Sequence, residues 1–399
     1  MRISTAGFNQ QTIDLINDQT AQLAITQAHL SSSKRVNSPA DDPVAAVHIL
    51  QLNQALSQTA QYGRNADAAN ARLSFEDQTL SNVTNVLQRI RDLTVQANSG
   101  NNDTTSRNAI ATELDQSMQQ LMELANTRDS NGEYLFAGLM TQTQPFSQSS
   151  TGAVVYSGDQ GTRQIQVGQT QKIGDSDNGF SVFQNIPAGN GTFVTNTSQA
   201  NSGTVSVGST SVTNLASWVP GTYTITFNTP TTYTITDSSN NTVSTGTYAP
   251  GGSITFNGAS ISLQGTPAAN DTVTVSTAGK QDIFSTVSQL AATLRGQLNS
   301  PAQNAQYATT LGNTLTQLDQ ALGHVDDIRA TVGTRVNAVA TAKSDGQSTT
   351  LDLQTSLSQL QDLDYASAIG KLSVQQTGLQ AAEAAYSKIS QLSLFDYIK

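Results

Sequence analysis

Residues 311–325 read LGNTLTQLDQALGHV, and their apolar positions Leu311, Leu315, Leu318, Leu322 and Val325 fall at spacings of 4, 3, 4 and 3. Val332, Val336 and Val339 carry the same stripe onward. A stripe that advances by three and four residues lies along one face of an α-helix and requires a partner helix, so the run predicts a coiled-coil-like seam. Ser300-Pro301 marks its start, and Asp282 is placed to cap a shorter helix upstream. Beyond Leu351 the pattern continues with Leu357 and Leu360. Leu372, Leu379 and Tyr386 then follow one heptad apart, with Ala382 and Ile389 offset by the same interval.

The other end of the chain mirrors this. Residues 8–31 predict a helix with Ile16, Leu23 and Leu30 one heptad apart, flanked by Ile13, Thr20 and Gln27. Asn37-Ser38-Pro39-Ala40-Asp41-Asp42-Pro43 is a loop in which Asp42 can cap a new helix with Pro43 at its first position. Leu73, Leu80, Val83, Leu87 and Ile90 then predict one long helix over 43–97, on the order of 80 Å at 1.5 Å per residue. After Gly100 a return helix carries Ile110, Leu114, Leu121 and Leu124 on one face, predicting an antiparallel hairpin.

Between about 141 and 280 the composition changes to Thr, Ser, Gly and Asn, and Arg163, Lys172 and Lys280 are the basic residues of the whole stretch. Tyr223, Ile225 and Phe227 alternate, as do Ile254 and Phe256, and Asp237-Ser238-Ser239-Asn240 and Asn257-Gly258 supply turns. The expected fold is mostly α with a β insert. N- and C-terminal helices pair into a coiled-coil-like bundle, and a central antiparallel β domain interrupts it. The expected division is 1–42 with 345–399 as the terminal helical domain, 43–140 with 281–344 as the helical bundle, and 141–280 as the β domain.

Composition narrows the function. Charged residues are 12% of the 399, and the net charge is −10 with no run of Lys and Arg, which argues against nucleic acid as a partner. The absence of cysteine excludes disulfides, thiolate metal sites and cysteine nucleophiles. No stretch approaches the roughly 20 apolar residues of a membrane span. The opening MRISTAGFNQQTIDLIND lacks the apolar core of a Sec-type signal peptide. Both chain ends carry apolar faces too narrow for full burial, and residues 8–31 are too few and too polar to hold a helix alone in water. The ends are therefore expected to order by association, which is assembly behaviour.

Leu30-Ser31-Ser32-Ser33-Lys34-Arg35-Val36-Asn37-Ser38-Pro39-Ala40-Asp41-Asp42-Pro43 resembles the signature that follows the first helix in the bacterial flagellin family. Ser33 is the departure: the family usually has glycine there, and serine tolerates a positive φ at a helix end less well. The opening Met1-Arg2-Ile3-Ser4-Thr5, the run Gly132-Glu133-Tyr134-Leu135-Phe136-Ala137-Gly138 with Pro145-Phe146, and the ending Leu392-Ser393-Leu394-Phe395-Asp396-Tyr397 resemble the family's hook-associated branch more than flagellin itself. That branch forms the filament-side hook-filament junction. The resemblance covers roughly 1–160 and 305–399, not the middle. It implies a structural flagellar subunit, exported without a cleaved signal peptide through the flagellar type III channel and located outside the cell. Implied partners are a ring of like subunits, the neighbouring hook-associated junction protein, flagellin, and a cytoplasmic export chaperone on the last helix.

The assembly interface is expected at Ile16, Leu23 and Leu30, at Arg35, Asn37, Asp41 and Asp42 of the loop, and at Leu372, Leu379, Tyr386 and Ile389. No catalytic, cofactor-binding or metal-ligating residue is assigned. His29, His48 and His324 lack carboxylates or a second His at metal-binding spacing. Asp41-Asp42 admits a general acid and base reading, but helix capping with Arg35 as ion partner explains the pair. Tyr134, Phe136 and Phe146 read either as a ligand-stacking cluster or, preferably, as a small core closing a hairpin. Flagellin proper is the alternative within the structural class, and a secreted adhesin-like binding protein is the alternative outside it.

Overall fold

The computed structural model describes residues 5–100, 102–150 and 152–391, and within them the chain ends are helical and the middle is β. The helices are α1 (Thr5–Ser32), α2 (Pro43–Ala97), α3 (Thr104–Ala125), α4 (Ile283–Arg295), α5 (Pro301–Gln361) and α6 (Tyr365–Gln391). Their starts follow local chemistry. Asp42 accepts from the Ala45 N–H at 3.0 Å, Asp103 from Ser106 at 2.7 Å and Asp282 from Phe284 at 2.9 Å. Each carboxylate satisfies one of the free N–H groups of a first turn.

The chain forms two compact units, 1–64 with 342–399 and 65–341, and α2 and α5 contribute a segment to each. The expected boundary between 344 and 345 falls inside α5, which runs unbroken from Pro301 to Gln361. The first 22 residues of α2, which the sequence assigned to the bundle, group with the terminal segments.

In the 65–341 unit, α3 and α4 pack together with the adjoining segments of α2 and α5. The core is Leu73, Leu80, Val83, Leu87 and Ile90 of α2, Ile110, Leu114 and Leu121 of α3, Phe284, Val287, Leu290 and Leu294 of α4, and Leu311, Leu318, Val325, Val332 and Val339 of α5. Ion pairs lie across the helices: Arg89 with Glu113, Arg91 with Asp319 at 2.6 Å, and Arg329 with Asp77 at 3.0 Å. One part of the seam differs from expectation. Leu315, Leu322 and Leu124 are half-buried, whereas Thr314 and Ala321 are buried.

The β region has two parts. From 126 to 186 short strands pair as β1 (Phe146–Gln148) with β2 (Val154–Tyr156) and β3 (Gln164–Gln166) with β4 (Lys172–Gly174). β5 (Ile186–Pro187) pairs with β14 (Lys280–Gln281), closing the insert next to α4. This part is held by a ring cluster: Phe146 meets Phe183, Phe284 and Tyr156 at centroid distances of 5.4, 5.1 and 5.1 Å, and Phe136 meets Phe183 edge-on at 5.3 Å. Phe136 and Phe146 are thus core, and Phe284 joins them to α4. Tyr134 lies under the Arg128 guanidinium at 4.2 Å.

The second part is a sandwich. A five-stranded antiparallel sheet takes the order β10 (Thr242–Thr247), β9 (Thr232–Asp237), β8 (Thr222–Thr229), β13 (Thr272–Thr277), β6 (Phe193–Thr197). A three-stranded sheet takes the order β11 (Ser253–Phe256), β12 (Ala259–Gln264), β7 (Ser206–Val212). The predicted alternation holds: Tyr223, Ile225, Phe227, Ile254 and Phe256 are buried between the sheets. Asn257 and Gly258 both have positive φ, 45° and 75°, the geometry of a two-residue hairpin turn. The strand edges nearest the helices are covered by α5. Asn313 donates to the Thr195 carbonyl at 2.6 Å, Thr309 accepts from the Val207 N–H at 3.0 Å, and Gln306 donates to Ser198 and Gln199 carbonyls at 3.1 Å.

Candidate functional site

The residues expected to assemble lie in the 1–64 and 342–399 unit. α1 pairs with α6. Ile16, Leu23 and Leu30 are half-buried on α1, as are Leu372, Leu379 and Tyr386 on α6. The structure thus places the two predicted stripes on helices that pair with each other. The side chain of Ile389, the opening Met1–Ser4 and the ending Leu392–Tyr397 lie outside the described residues.

The loop after α1 is an internal clamp. α1 ends at Ser32, and Ser33 takes a φ of 63°, so the departure from glycine sits at a left-handed position, and its hydroxyl contacts that of Tyr365. Arg35 pairs with Asp42 at 3.3 Å and donates to the Leu360 carbonyl at 2.9 Å, while its own N–H donates to Gln361 at 2.7 Å. Leu363 N–H returns a bond to Ser33 at 3.1 Å. Asp41 accepts from the N–H groups of Asn37 and Ser38 at 3.0 and 2.8 Å, and His29 lies 3.5 Å from its other oxygen. Hydrogen bonds from Ser38 and Asn37 hold the Asp41 carboxyl below its ordinary pKa, and the bond from Ala45 does the same for Asp42. Asp42 caps α2, as the capping reading expects, whereas Asp41 closes the preceding turn and caps no helix. Beneath the clamp, Val36, Ala45 and Ile49 pack with Leu357 and Leu360.

A second apolar set on this unit was not legible from heptads. Leu15 and Ile25 on α1, Val47 and Leu50 on α2, and Ile369 and Val374 on α6 are all more than half exposed, Val374 reaching 73%. They fall between the seam positions.

The 65–341 unit holds a charged cluster that sequence reasoning missed. Glu76 on α2 is fully buried, and its Oε1 accepts from the Asp177 N–H at 2.8 Å. Arg335 on α5 grips the Asp177 carboxylate with both terminal nitrogens at 3.0 and 2.9 Å. Burial first, and the nearby Asp177 charge second, push the Glu76 carboxyl up to about 8. Arg72, one turn earlier, pairs with Asp129 at 2.5 Å and Glu133 at 3.3 Å, and Arg163 joins Glu133 at 2.9 Å to Asp175 at 2.7 Å. Perturbed carboxyls often mark active sites, but this one has no surface a substrate can reach. The groove beside it, lined by Ala71, Phe75, Asp129, Asn131, Arg163 and Ile165, has its arginines and aspartates already paired. The cluster fastens the 126–178 segment to α2 and α5. Among the described residues no group of three or more His, Asp and Glu is arranged to hold a metal, and no helix is long and apolar enough to cross a membrane.

Comparison with known proteins agrees with this architecture. Residues 3–141 match the family model of the bacterial flagellin N-terminal helical region, and residues 315–398 match the C-terminal helical region. The chain is 29% identical over 399 residues to the flagellar hook-associated protein 3 of Escherichia coli strain K12, covering all of both chains. The crystal structure of the flagellar junction protein FlgL from Legionella pneumophila is similar with a TM-score of 0.71 and 32% identity, over 79% of this chain and 100% of that one. Phase 1 flagellin of Salmonella naestved is 27% identical over 130 residues, 33% of this chain and 26% of that one.

Proposed function

The chain belongs to the bacterial flagellin family, in the hook-associated branch of structural flagellar proteins, and from that premise we propose that it is the filament-side subunit of the hook-filament junction. The observation that carries this reading is the difference in coverage. Likeness to hook-associated protein 3 runs the full length through the β insert, whereas the flagellin helical regions match only the two chain ends, 3–141 and 315–398, and the alignment to phase 1 flagellin covers 33% of the chain. The role is mechanical, not enzymatic: the subunit couples hook to filament and presents a template for flagellin.

The interface we propose has two layers. Ile16, Leu23, Leu30, Leu372, Leu379, Tyr386 and Ile389 form the seam, Arg35, Asn37, Asp41 and Asp42 hold the turn that orients it, and the exposed set around Leu15, Leu50 and Val374 meets neighbours. Those neighbours are further copies in a ring, the adjoining hook-associated junction protein on one side and flagellin on the other. The subunit takes this place outside the cell as part of the flagellum. Before export the apolar face of α6 is covered by a cytoplasmic chaperone. Chaperone affinity should fall at least tenfold when Leu372, Leu379, Tyr386 and Ile389 are all replaced by Ser, the apolar burial lost being worth well over 1.4 kcal/mol. Undiminished binding of that variant in calorimetry removes the chaperone assignment. We also propose the β sandwich as a domain of its own, set apart by composition and by its own core.

Electron microscopy of a clean deletion strain tests the junction role. Bare hooks with flagellin accumulating in the medium are expected. Loss of the filament subunit itself makes the protein a flagellin, and normal filaments return the adhesin-like reading.

A further inference from the structure

The 126–178 segment is fastened near both of its ends by arginines. Asp129 and Glu133, close to its start, are held by Arg72 of α2, and Asp177, close to its end, is held by Arg335 of α5. Arg163 crosses between Glu133 and Asp175 and so ties the start to the end. The β3–β4 hairpin leads into Asp175 and meets α2 again where Asn65 donates to the Gln166 carbonyl at 2.7 Å. The middle of the segment is anchored separately, by the rings of Phe136 and Phe146 on Phe183.

Glu76 sits at this closure without a cation of its own. The closure brings together five carboxyls, Glu76, Asp129, Glu133, Asp175 and Asp177, and three guanidiniums, each of which already has a carboxylate partner. The Glu76 side chain is fully buried, its Oε2 has no hydrogen-bond partner, and neither has the Nε of the buried Arg72. The charged groups that face Glu76 are Arg72 from its own helix, Arg335 from α5 and Asp177 from the segment. A protonated carboxyl is accommodated there. A carboxylate is a second negative charge beside Asp177, out of reach of water, and the polar bonds of the segment are what separate it from solvent.

We propose that Glu76 is the trigger of an alkali-released clasp: when its proton passes to solvent, the arms of the segment, residues 129–133 and 163–177, lift from α2 and α5 while the ring cluster holds the middle in place. Burial first, and the Asp177 charge second, raise the carboxyl from 4.5 to about 8. The closed form therefore loses stability as the pH rises across that interval, because the lifted form gives up the proton first. A clasp of this kind opens locally, unlike a loss of stability shared by the whole 65–341 unit, and it stands independently of the junction role.

Hydrogen exchange on the purified full-length chain at pH 6 and pH 8 tests the clasp, read as protection factors so that the intrinsic rise of exchange with pH cancels. In the parent, amides of 129–133 and 163–177 should lose about tenfold or more in protection between the two conditions, while those of β8 and β13 keep theirs. In Glu76→Gln, which keeps the acceptor for the Asp177 N–H, the loss should vanish. The sandwich amides also report whether the variant is folded. No loss in the parent, an equal loss in Glu76→Gln, or a loss that spreads equally to β8 and β13 overturns the proposal.

Discussion

Replacing Glu76 by Gln should stabilise the 65–341 unit, by up to about 5 kcal/mol at pH near 9 and by almost nothing at pH near 4. The sign follows from the direction of the shift. The Glu76 carboxyl is raised from 4.5 to about 8 in the folded chain, chiefly by burial. Below the unfolded value it is protonated in both states and contributes nothing. Between the two values the unfolded chain releases the proton and the folded chain keeps it, so stability declines as pH rises. Above the folded value the penalty is constant. The amide keeps the acceptor for the Asp177 N–H without the charge, and no bond is lost at Oε2, which has no hydrogen-bond partner. Urea unfolding across this range should therefore show a falling midpoint for the parent and a flatter one for Glu76→Gln. Parallel curves would mean that Glu76 titrates normally and that Arg335 and Arg72 offset its burial.

Phe146→Ala should cost about 3 to 5 kcal/mol, the range for removing a fully buried aromatic ring. Phe146 has no exposed surface, and it is the ring at which β1, the Phe183 turn and Phe284 of α4 converge. Gly179 leaves no room to compensate from the other side, because a Cβ there would stand 2.6 Å from the Phe146 ring. The resulting void is bordered by three elements fixed elsewhere, so it collapses only in part. Phe146→Leu, which keeps much of the volume, should cost about 1.5 kcal/mol or less. Equal losses for the two variants in urea unfolding at constant m-value would show that ring packing does not join the insert to α4.

How much of this was readable from the chain depended on the range of the interaction. The α2 stripe of Leu73, Leu80, Val83, Leu87 and Ile90 is buried as its spacing implied. On α5 the choice of Leu315 and Leu322 over Thr314 and Ala321 misplaced the seam by one position. Counting large apolar residues overlooks a threonine whose hydroxyl is satisfied by its own helix, and Thr314 donates to the Thr310 carbonyl at 2.8 Å. Alternation located the sandwich strands, but the docking of that sandwich on α5 through Asn313, Thr309 and Gln306 has no local signal. Polar residues on a helix face read as solvated until a strand edge is found opposite them.

The same distinction separates the two candidate sites. Asp41 and Asp42 were interpretable because their partners, Asn37, Ser38 and Ala45, lie within four residues. Glu76, Asp177 and Arg335 are 101 and 158 residues apart along the chain, and nothing near Glu76 in sequence announces its burial.

Local sequence sets where helices begin, which faces are apolar and where the β insert opens and closes, and the lack of cysteine leaves no thiol chemistry. Caps, turns and periodicity act within a turn or two, so the residues that cause them are adjacent. Whether a carboxylate is buried, which polar helix residues meet a strand edge and which apolar residues remain outside depend on the tertiary structure. Those outcomes depend on the distances and solvent exclusion that packing creates among residues far apart in the chain.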